Sequence, residues 1–177
     1  MVPEGGIKGY IEYLSDAFLI EKAQRYDVKG RRYINSPFKY YFTDLGLRNA
    51  QIDFRQVEDT HLMENALYNE LRIRGYHVDV GVVDTVERKD DGSTQKKKLE
   101  IDFVCNKASR RFYVQSAFAL PDAEKTAQEQ RPLLKVGDSF KKIIVTTTAP
   151  APWYTDEGVL VTGLFDFLLD KDSLERL

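Results

Sequence analysis

Leu99-Glu-Ile-Asp-Phe-Val-Cys105 is the stretch of this chain from which its architecture can be worked out. It is rich in β-branched and aromatic residues, which favour a strand, and Arg111–Leu120 has the same character. A two-residue loop at Ala108–Ser109 would join the two strands as an antiparallel hairpin. The sequence therefore predicts a hairpin within a sheet.

Side chains alternate across a strand, so Glu100 and Asp102 are predicted on one face of this hairpin. The opposite, apolar face is predicted to carry Leu99, Ile101 and Phe103. In the predicted register Asp102 lies opposite Gln115 and Glu100 lies opposite Ala117. Directly opposed Cβ atoms are ~5 Å apart, so a carboxylate and an amide oxygen would share one patch.

A third oxygen donor comes from the clearest helix of the chain, predicted over residues 59–74. Asp59 or Thr60 would cap it, and Gly75 would end it. If this helix crosses the sheet, Glu64 joins the patch. Carboxylate and amide oxygens suit a hard cation such as Mg²⁺, which could deliver hydroxide to a phosphodiester. In the alternative interpretation, Glu64 only favours its helix dipole, and the strand residues face solvent or nearby lysines.

The rest of the chain supplies further helices and strands around this hairpin. Before the 59–74 helix we predict a helix over 7–18, strands over 18–26, 31–35 and 38–42, a turn over 27–30 and a break at Ser36–Pro37. After it we predict a strand over 76–83, a helix over 122–135, strands over 141–148 and 159–161, and a terminal helix from 165. The polar residues 84–98 contain a turn signal at Asp91–Gly92 and are predicted to form either a hairpin tip or a mobile loop. This order predicts an α/β fold, a mixed β-sheet flanked by helices.

The first 50 residues have a different organisation from the remainder. A helix followed directly by a β-hairpin is similar to the end of a winged-helix module, and such a unit alone buries too little surface to be stable. We therefore predict a partial winged-helix-like connector over residues 1–50 and the main domain over residues 51–177.

Composition restricts the class of protein. The chain has 177 residues, 42% of them hydrophobic, and a formal net charge of −2. No apolar run approaches the ~18 residues of a membrane helix, and no signal-peptide core is apparent, so the expected compartment is the cytoplasm. The single cysteine, Cys105, excludes an internal disulfide and a multi-cysteine zinc site.

Positive charge is concentrated between Arg25 and Tyr41, where basic residues alternate with tyrosines. One interpretation is a hairpin that contacts nucleic-acid phosphates. The other is a solvated hairpin whose aromatic rings pack on the main domain. A net charge near zero argues against nucleic-acid binding over the whole surface.

Glu64 on a helix, then Glu100-Ile-Asp-Phe-Val104, then Tyr113-Val-Gln-Ser-Ala117 resemble the restriction-endonuclease-like PD-(D/E)xK core. The resemblance implies that Glu64, Asp102 and Gln115 bind a catalytic metal such as Mg²⁺. The lysine that completes this motif is absent, because position 117 is alanine. The cation would then have to come from the following helix, which offers Lys125, Arg131 and Lys135.

A longer resemblance links the chain to the C-terminal half of prokaryotic predicted AAA+ ATPases. It is carried by Phe38–Ala50, Met63–Leu71, Arg74–Gly81 and Leu99–Val104. Those proteins carry an N-terminal P-loop ATPase, a winged-helix connector and a nuclease-like domain. This chain has no P-loop motif, so the resemblance implies that ATP is bound by an N-terminal domain outside it.

Three functional hypotheses follow. The first is a nuclease-like module that is catalytically degenerate, lacks a positioned cation in its acidic patch, and binds nucleic acid or a protein. The second is an active Mg²⁺-dependent nuclease with a lysine recruited from the 122–135 helix. The third is a structural domain that sets a homo-oligomer of the ATPase.

Overall fold

A computed structural model of the chain describes residues 6–55, 57–88 and 92–176. Its helices are α1 (Gly6–Asp16), α2 (Leu45–Gln51), α3 (Asp59–Ile73), α4 (Ala123–Leu134), α5 (Leu164–Leu169) and α6 (Ser173–Arg176). Its strands are β1 (Ile20–Asp27), β2 (Arg32–Phe42), β3 (His77–Arg88), β4 (Thr94–Lys107), β5 (Arg110–Ala117), β6 (Lys141–Thr146), β7 (Trp153–Tyr154) and β8 (Leu160–Gly163).

The eight strands form a single mixed sheet in the order β2-β1-β3-β4-β5-β6-β8-β7. Antiparallel pairs join β1 to β2, β3 to β4, β4 to β5 and β7 to β8. Parallel pairs join β1 to β3, β5 to β6 and β6 to β8. The predicted α/β fold with a mixed sheet and flanking helices is confirmed.

Both faces of the sheet are covered by helices. On one face Leu67 and Leu71 of α3 and Phe167 of α5 pack with Phe103 in one buried cluster. On the other face Leu133 of α4 packs with Tyr113 in a second buried cluster. The sheet therefore positions α3 and α4 on opposite sides of the β4–β5 hairpin.

The register of the β4–β5 hairpin is the predicted one. Lys107 pairs with Arg110 around the Ala108–Ser109 loop, and Phe103 pairs with Val114. The ladder ends at the Phe103–Val114 pair, so the predicted Asp102–Gln115 and Glu100–Ala117 positions lie beyond its last pair.

A β-bulge in β4 changes which side chains share a face. Against β3, Asp79 pairs with Val104 and Gly81 pairs with Ile101, so β4 carries one extra residue between these pairs. Ile101 therefore packs in the α4-side cluster with Val104, whereas Phe103 packs in the α3-side cluster. The prediction that Leu99, Ile101 and Phe103 share one face was wrong, since simple alternation does not hold across a bulge.

Three local predictions were also wrong. Glu58, not Asp59 or Thr60, occupies the N-cap of α3, and its side chain makes no capping hydrogen bond. Over residues 84–98 the mobile-loop alternative was wrong and the hairpin alternative is confirmed, because β3 and β4 extend as a long hairpin; Asp91 of the predicted turn lies outside the described residues. Arg32–Phe42 form one strand, and the predicted Ser36–Pro37 interruption corresponds to a shift in its pairing with β1.

The N-terminal hairpin belongs to the same sheet as the remainder of the chain, because β1 pairs with β3 from Arg25 to Asp27. Helix α1 buries none of its residues. The division into residues 1–50 and 51–177 stays a prediction. Within the described residues, no helix is both long and apolar enough to cross a membrane.

The bulge predicts a strict requirement for glycine at position 81. A Cβ at Gly81 would lie 2.8 Å from Val104 Cγ2 and 2.9 Å from Ile101 Cβ, the two residues that the bulge brings to one face. We expect Gly81→Ala to lower the free energy of unfolding by about 1–3 kcal/mol through overpacking, measured by urea denaturation.

Gly9→Ala is the matched control, since a Cβ there meets nothing within 4 Å in helix α1. Alanine favours a helix interior over glycine, so Gly9→Ala should be neutral or slightly stabilising. Equal stability of the Gly81→Ala variant and the natural chain would contradict this account of the bulge.

Candidate functional site

The predicted pairing of an acid with an amide occurs where β4 and β5 separate. The Asp102 backbone N–H donates to Gln115 Oε1 at 3.4 Å. The Ser116 backbone N–H, one residue further along β5, donates to Asp102 Oδ2 at 2.8 Å. The Asp102 carboxylate thus serves as hydrogen-bond acceptor for β5 beyond the end of the ladder, and both Asp102 and Gln115 are buried.

Glu64 approaches this fork from α3, as predicted. Its Oε1 accepts a hydrogen bond from Tyr41 Oη at 2.7 Å. The neighbouring Asn65 fixes the helix to β2, because its side-chain amide exchanges hydrogen bonds of 2.8 and 2.7 Å with the backbone N–H and C=O of Phe42. This pairing positions the alternate residues of β2, Lys39 and Tyr41, beside Glu64.

Glu64, Glu100 and Asp102 form an acidic cluster, and the Lys39 ammonium lies among their carboxylates. Its Nζ lies 2.9 Å from Glu64 Oε1, 2.7 Å from Glu100 Oε1 and 3.9 Å from Asp102 Oδ1. The expectation of an acidic patch without a positioned cation was therefore wrong. The alanine at 117 does not leave the acids uncompensated, because an ammonium group reaches them from the N-terminal hairpin.

The acidic cluster also uses other positive charges of the basic segment. Arg25 forms an ion pair with Glu100, and Arg32 pairs with Asp27 at 3.5 Å. Tyr41 is buried and stacks on Tyr68 of α3. These contacts favour the packing interpretation for this part of the Arg25–Tyr41 segment, because its charges are compensated within the chain.

The pKa shifts follow from this arrangement. Burial raises the pKa of Asp102 to about 7, and repulsion from Glu64 adds to the rise while Lys39 opposes it. Burial alone would raise the pKa of Glu100, but its hydrogen bonds to Lys39 and Arg25 lower it below the usual value. Burial would lower the pKa of Lys39, yet attraction to the surrounding carboxylates, Glu64 first, raises it.

The oxygen donors of the cluster have the chemistry that Mg²⁺ prefers, but their arrangement does not fit a metal ion. The ammonium of Lys39 lies between Glu64 and Glu100, and Asp102 Oδ2 already accepts a backbone hydrogen bond. Across residues 6–55, 57–88 and 92–176, no group of three or more His, Cys, Asp or Glu side chains is placed to hold a metal.

A cleft of about 750 Å³ opens beside Asp102, between the start of α3 and the start of α4. Lys125 of α4 lines this cleft, but its Nζ pairs with Glu129 at 2.6 Å. Arg131 pairs with Glu87. Lys125 and Arg131 are thus engaged with carboxylates outside the cluster, whereas the Lys39 ammonium contacts Glu64.

Sequence reasoning missed Lys39 and Tyr41 as members of the site. Their signal is their i, i+2 spacing, which places both side chains on one face of a strand. The sequence does not indicate that this face of β2 lies against α3, because Lys39 and Glu64 are 25 residues apart and no local pattern relates them.

Comparison with known proteins gives two matches. Residues 3–58 match a family described as a domain of unknown function (DUF8612). An uncharacterized protein of Haemophilus influenzae is 34% identical over 166 residues, which cover 92% of this chain and 36% of that protein. The chain thus spans about a third of the length of the curated relative it matches, and no solved structure matches it.

The raised pKa of Asp102 predicts a pH-dependent contribution to stability. Its pKa is about 7 in the folded chain and ~3.9 in an unfolded one, so the folded state binds more protons between these values. The contribution of the Asp102 carboxyl to the free energy of unfolding is therefore greatest at low pH and decreases as the pH rises to about 7. Replacing Asp102 by Asn removes this loss and keeps a side-chain acceptor for Ser116.

We expect the free energy of unfolding of Asp102→Asn, minus that of the natural chain, to increase from pH 4 to pH 7. The increase should be at most about 1.4 kcal/mol per pH unit. Urea denaturation across this pH range measures it, with the exposed Asp156→Asn as control. Parallel pH profiles for Asp102→Asn and the natural chain would show that the folded pKa of Asp102 is not raised.

Proposed function

We propose that this chain is a nuclease-like binding module of a longer cytoplasmic protein, in which the acidic centre binds no metal and cleaves nothing. The observation that carries the proposal is the position of Lys39, whose ammonium lies between Glu64 and Glu100 at 2.9 and 2.7 Å. A divalent cation would have to displace this ammonium to reach the same oxygens. The module would contact nucleic acid while the longer protein supplies the energy.

The position of the acids supports a nuclease-like ancestry. Asp102 and Gln115 lie side by side at the fork of a mixed sheet, and Glu64 reaches them from a helix packed on that sheet. This is the placement that the resemblance to the PD-(D/E)xK core implies for its metal-binding residues. In this proposal the module has kept the carboxylates of a nuclease but has lost metal binding, and the Lys39 ammonium provides the positive charge that a metal would provide.

The length of the relative supports a place within a longer protein. The matched region makes up 36% of the Haemophilus influenzae protein, so that protein has room for a further domain. An ATP-binding AAA+ domain is the one that the sequence resemblance implies. We also propose that the longer protein forms a homo-oligomer through this module.

An active Mg²⁺-dependent nuclease is the alternative, and one observation favours it. Lys39 Nζ lies 3.9 Å from Asp102 Oδ1, where an ammonium could assist the attacking water in place of the lysine absent at 117. Cleavage of DNA or RNA in Mg²⁺ or Mn²⁺ by the natural chain, lost in Asp102→Ala, would establish this alternative.

The proposal predicts that removing the lysine opens the site to a metal. We expect Mn²⁺ to leave the thermal unfolding of the natural chain unchanged and to stabilise Lys39→Met, whose carboxylates lack their counter-charge. At a Mn²⁺ concentration about 100 times its Kd, the stabilisation would be about 2.7 kcal/mol. Calorimetric titration with Mn²⁺ gives the affinity directly.

Lys98→Met is the control, because this exposed lysine of β4 undergoes the same substitution without touching the cluster. It should respond to Mn²⁺ as the natural chain does. Mn²⁺ binding by the natural chain at Asp102 would overturn the proposal, and so would a Lys39→Met variant that folds and ignores Mn²⁺.

A further inference from the structure

A second cleft, of about 560 Å³, lies at the opposite end of β5 from the acidic cluster. Three segments form its walls: the end of β1 with the following turn, the β4–β5 turn, and residues 136–140 after α4. Arg111 at the start of β5 lies in this cleft, and Gln115 lies four residues further along the strand. At ~3.3 Å per residue the two sites are about 13 Å apart.

The cleft carries an excess of positive charge. Lys29 and Arg31 line it from the exposed β1–β2 turn, and Arg111 lines it from the sheet. Arg110 also lines it but forms an ion pair with Glu175. These cations come from segments far apart in the sequence, so only the folded chain brings them together.

Asp138 supplies the one carboxylate among the described residues that line the cleft, and this carboxylate contacts other residues of the wall. Its Oδ2 accepts a hydrogen bond from Tyr113 Oη at 2.6 Å, and its Oδ1 accepts one from the Phe140 backbone N–H at 3.2 Å. Lys142 lies 3.8 Å from the same carboxylate. Asp138 therefore fixes the loop after α4 and does not neutralise Arg111.

Arg111 is held in place by uncharged groups. Its Nε donates to Asn106 Oδ1 at 2.7 Å, and its guanidinium carbon lies 5.4 Å from the Tyr26 ring centre and 5.7 Å from that of Phe140. Aromatic contacts orient a guanidinium without consuming its charge. Arg111 is thus a preoriented donor that faces a cationic cleft, the arrangement in which arginine binds phosphate.

We propose that this cleft binds a nucleotide phosphate, with Arg111 as the central phosphate donor and Lys29 and Arg31 as flanking charges. Phe140 is 40% exposed at the rim and offers a ring on which a base can stack. The site goes beyond the acidic cluster, because it uses none of its residues. It rests on the proposed function only in the choice of nucleic acid as the source of the phosphate.

The test is fluorescence anisotropy with a labelled single-stranded oligothymidylate, together with calorimetric titration of the same variants with AMP. We expect Arg111→Gln to weaken oligothymidylate binding about tenfold. The slope of log K against log salt should fall by about 0.7, the value for one phosphate contact on a single strand. Arg55→Gln, which changes an exposed arginine outside the cleft, should bind as the natural chain does.

A double variant, Lys29→Gln with Arg31→Asn, guards against misfolding, because both residues are exposed in a turn. It should also lower affinity and salt dependence. AMP binding that requires Arg111, without oligothymidylate binding, supports the site with a free nucleotide as its ligand and counts against the proposed function. Oligothymidylate binding that is unchanged in both cleft variants overturns the proposed cleft site alone. If neither oligothymidylate nor AMP binds the natural chain, the cleft site and the proposed function are both overturned.

Discussion

The ammonium of Lys39 is the interaction on which the centre of this molecule depends. Three carboxylates, those of Glu64, Glu100 and Asp102, converge from a helix and a strand, and Asp102 is buried while Glu64 and Glu100 are partly buried. Like charges at such distances repel strongly in a medium of low dielectric constant, so the fold needs a cation among them. The N-terminal hairpin supplies it, which ties that hairpin electrostatically to the main sheet.

The separation of β4 from β5 creates the place where these charges meet. The bulge in β4 ends regular pairing at Phe103, and the Asp102 carboxylate then satisfies the Ser116 N–H that has lost its backbone partner. A nuclease would use such a fork to hold a metal. Here Asp102 Oδ2 stabilises the sheet, while Asp102 Oδ1 and the Oε1 atoms of Glu64 and Glu100 face the Lys39 ammonium.

Five basic residues of the chain fall into two groups. Arg25 and Lys39 are consumed by the acidic cluster, whereas Lys29, Arg31 and Arg111 line a cleft without a free carboxylate. A net charge of −2 conceals this division. Local excess, not the overall balance, governs where an anion can bind, because charges separated by more than ~10 Å are largely screened at physiological salt.

Local sequence patterns predicted the fold class, the β4–β5 register and the proximity of Asp102 to Gln115, because alternation and turn length are local properties of the chain, but the contribution of Glu64 depended on the long-range packing of α3. They failed at the bulge, which breaks alternation at Ile101. Only the tertiary structure decided that Lys39 would be the counter-charge. That choice depends on which face of a distant hairpin meets α3, and long-range packing of this kind leaves no periodic signal in the sequence.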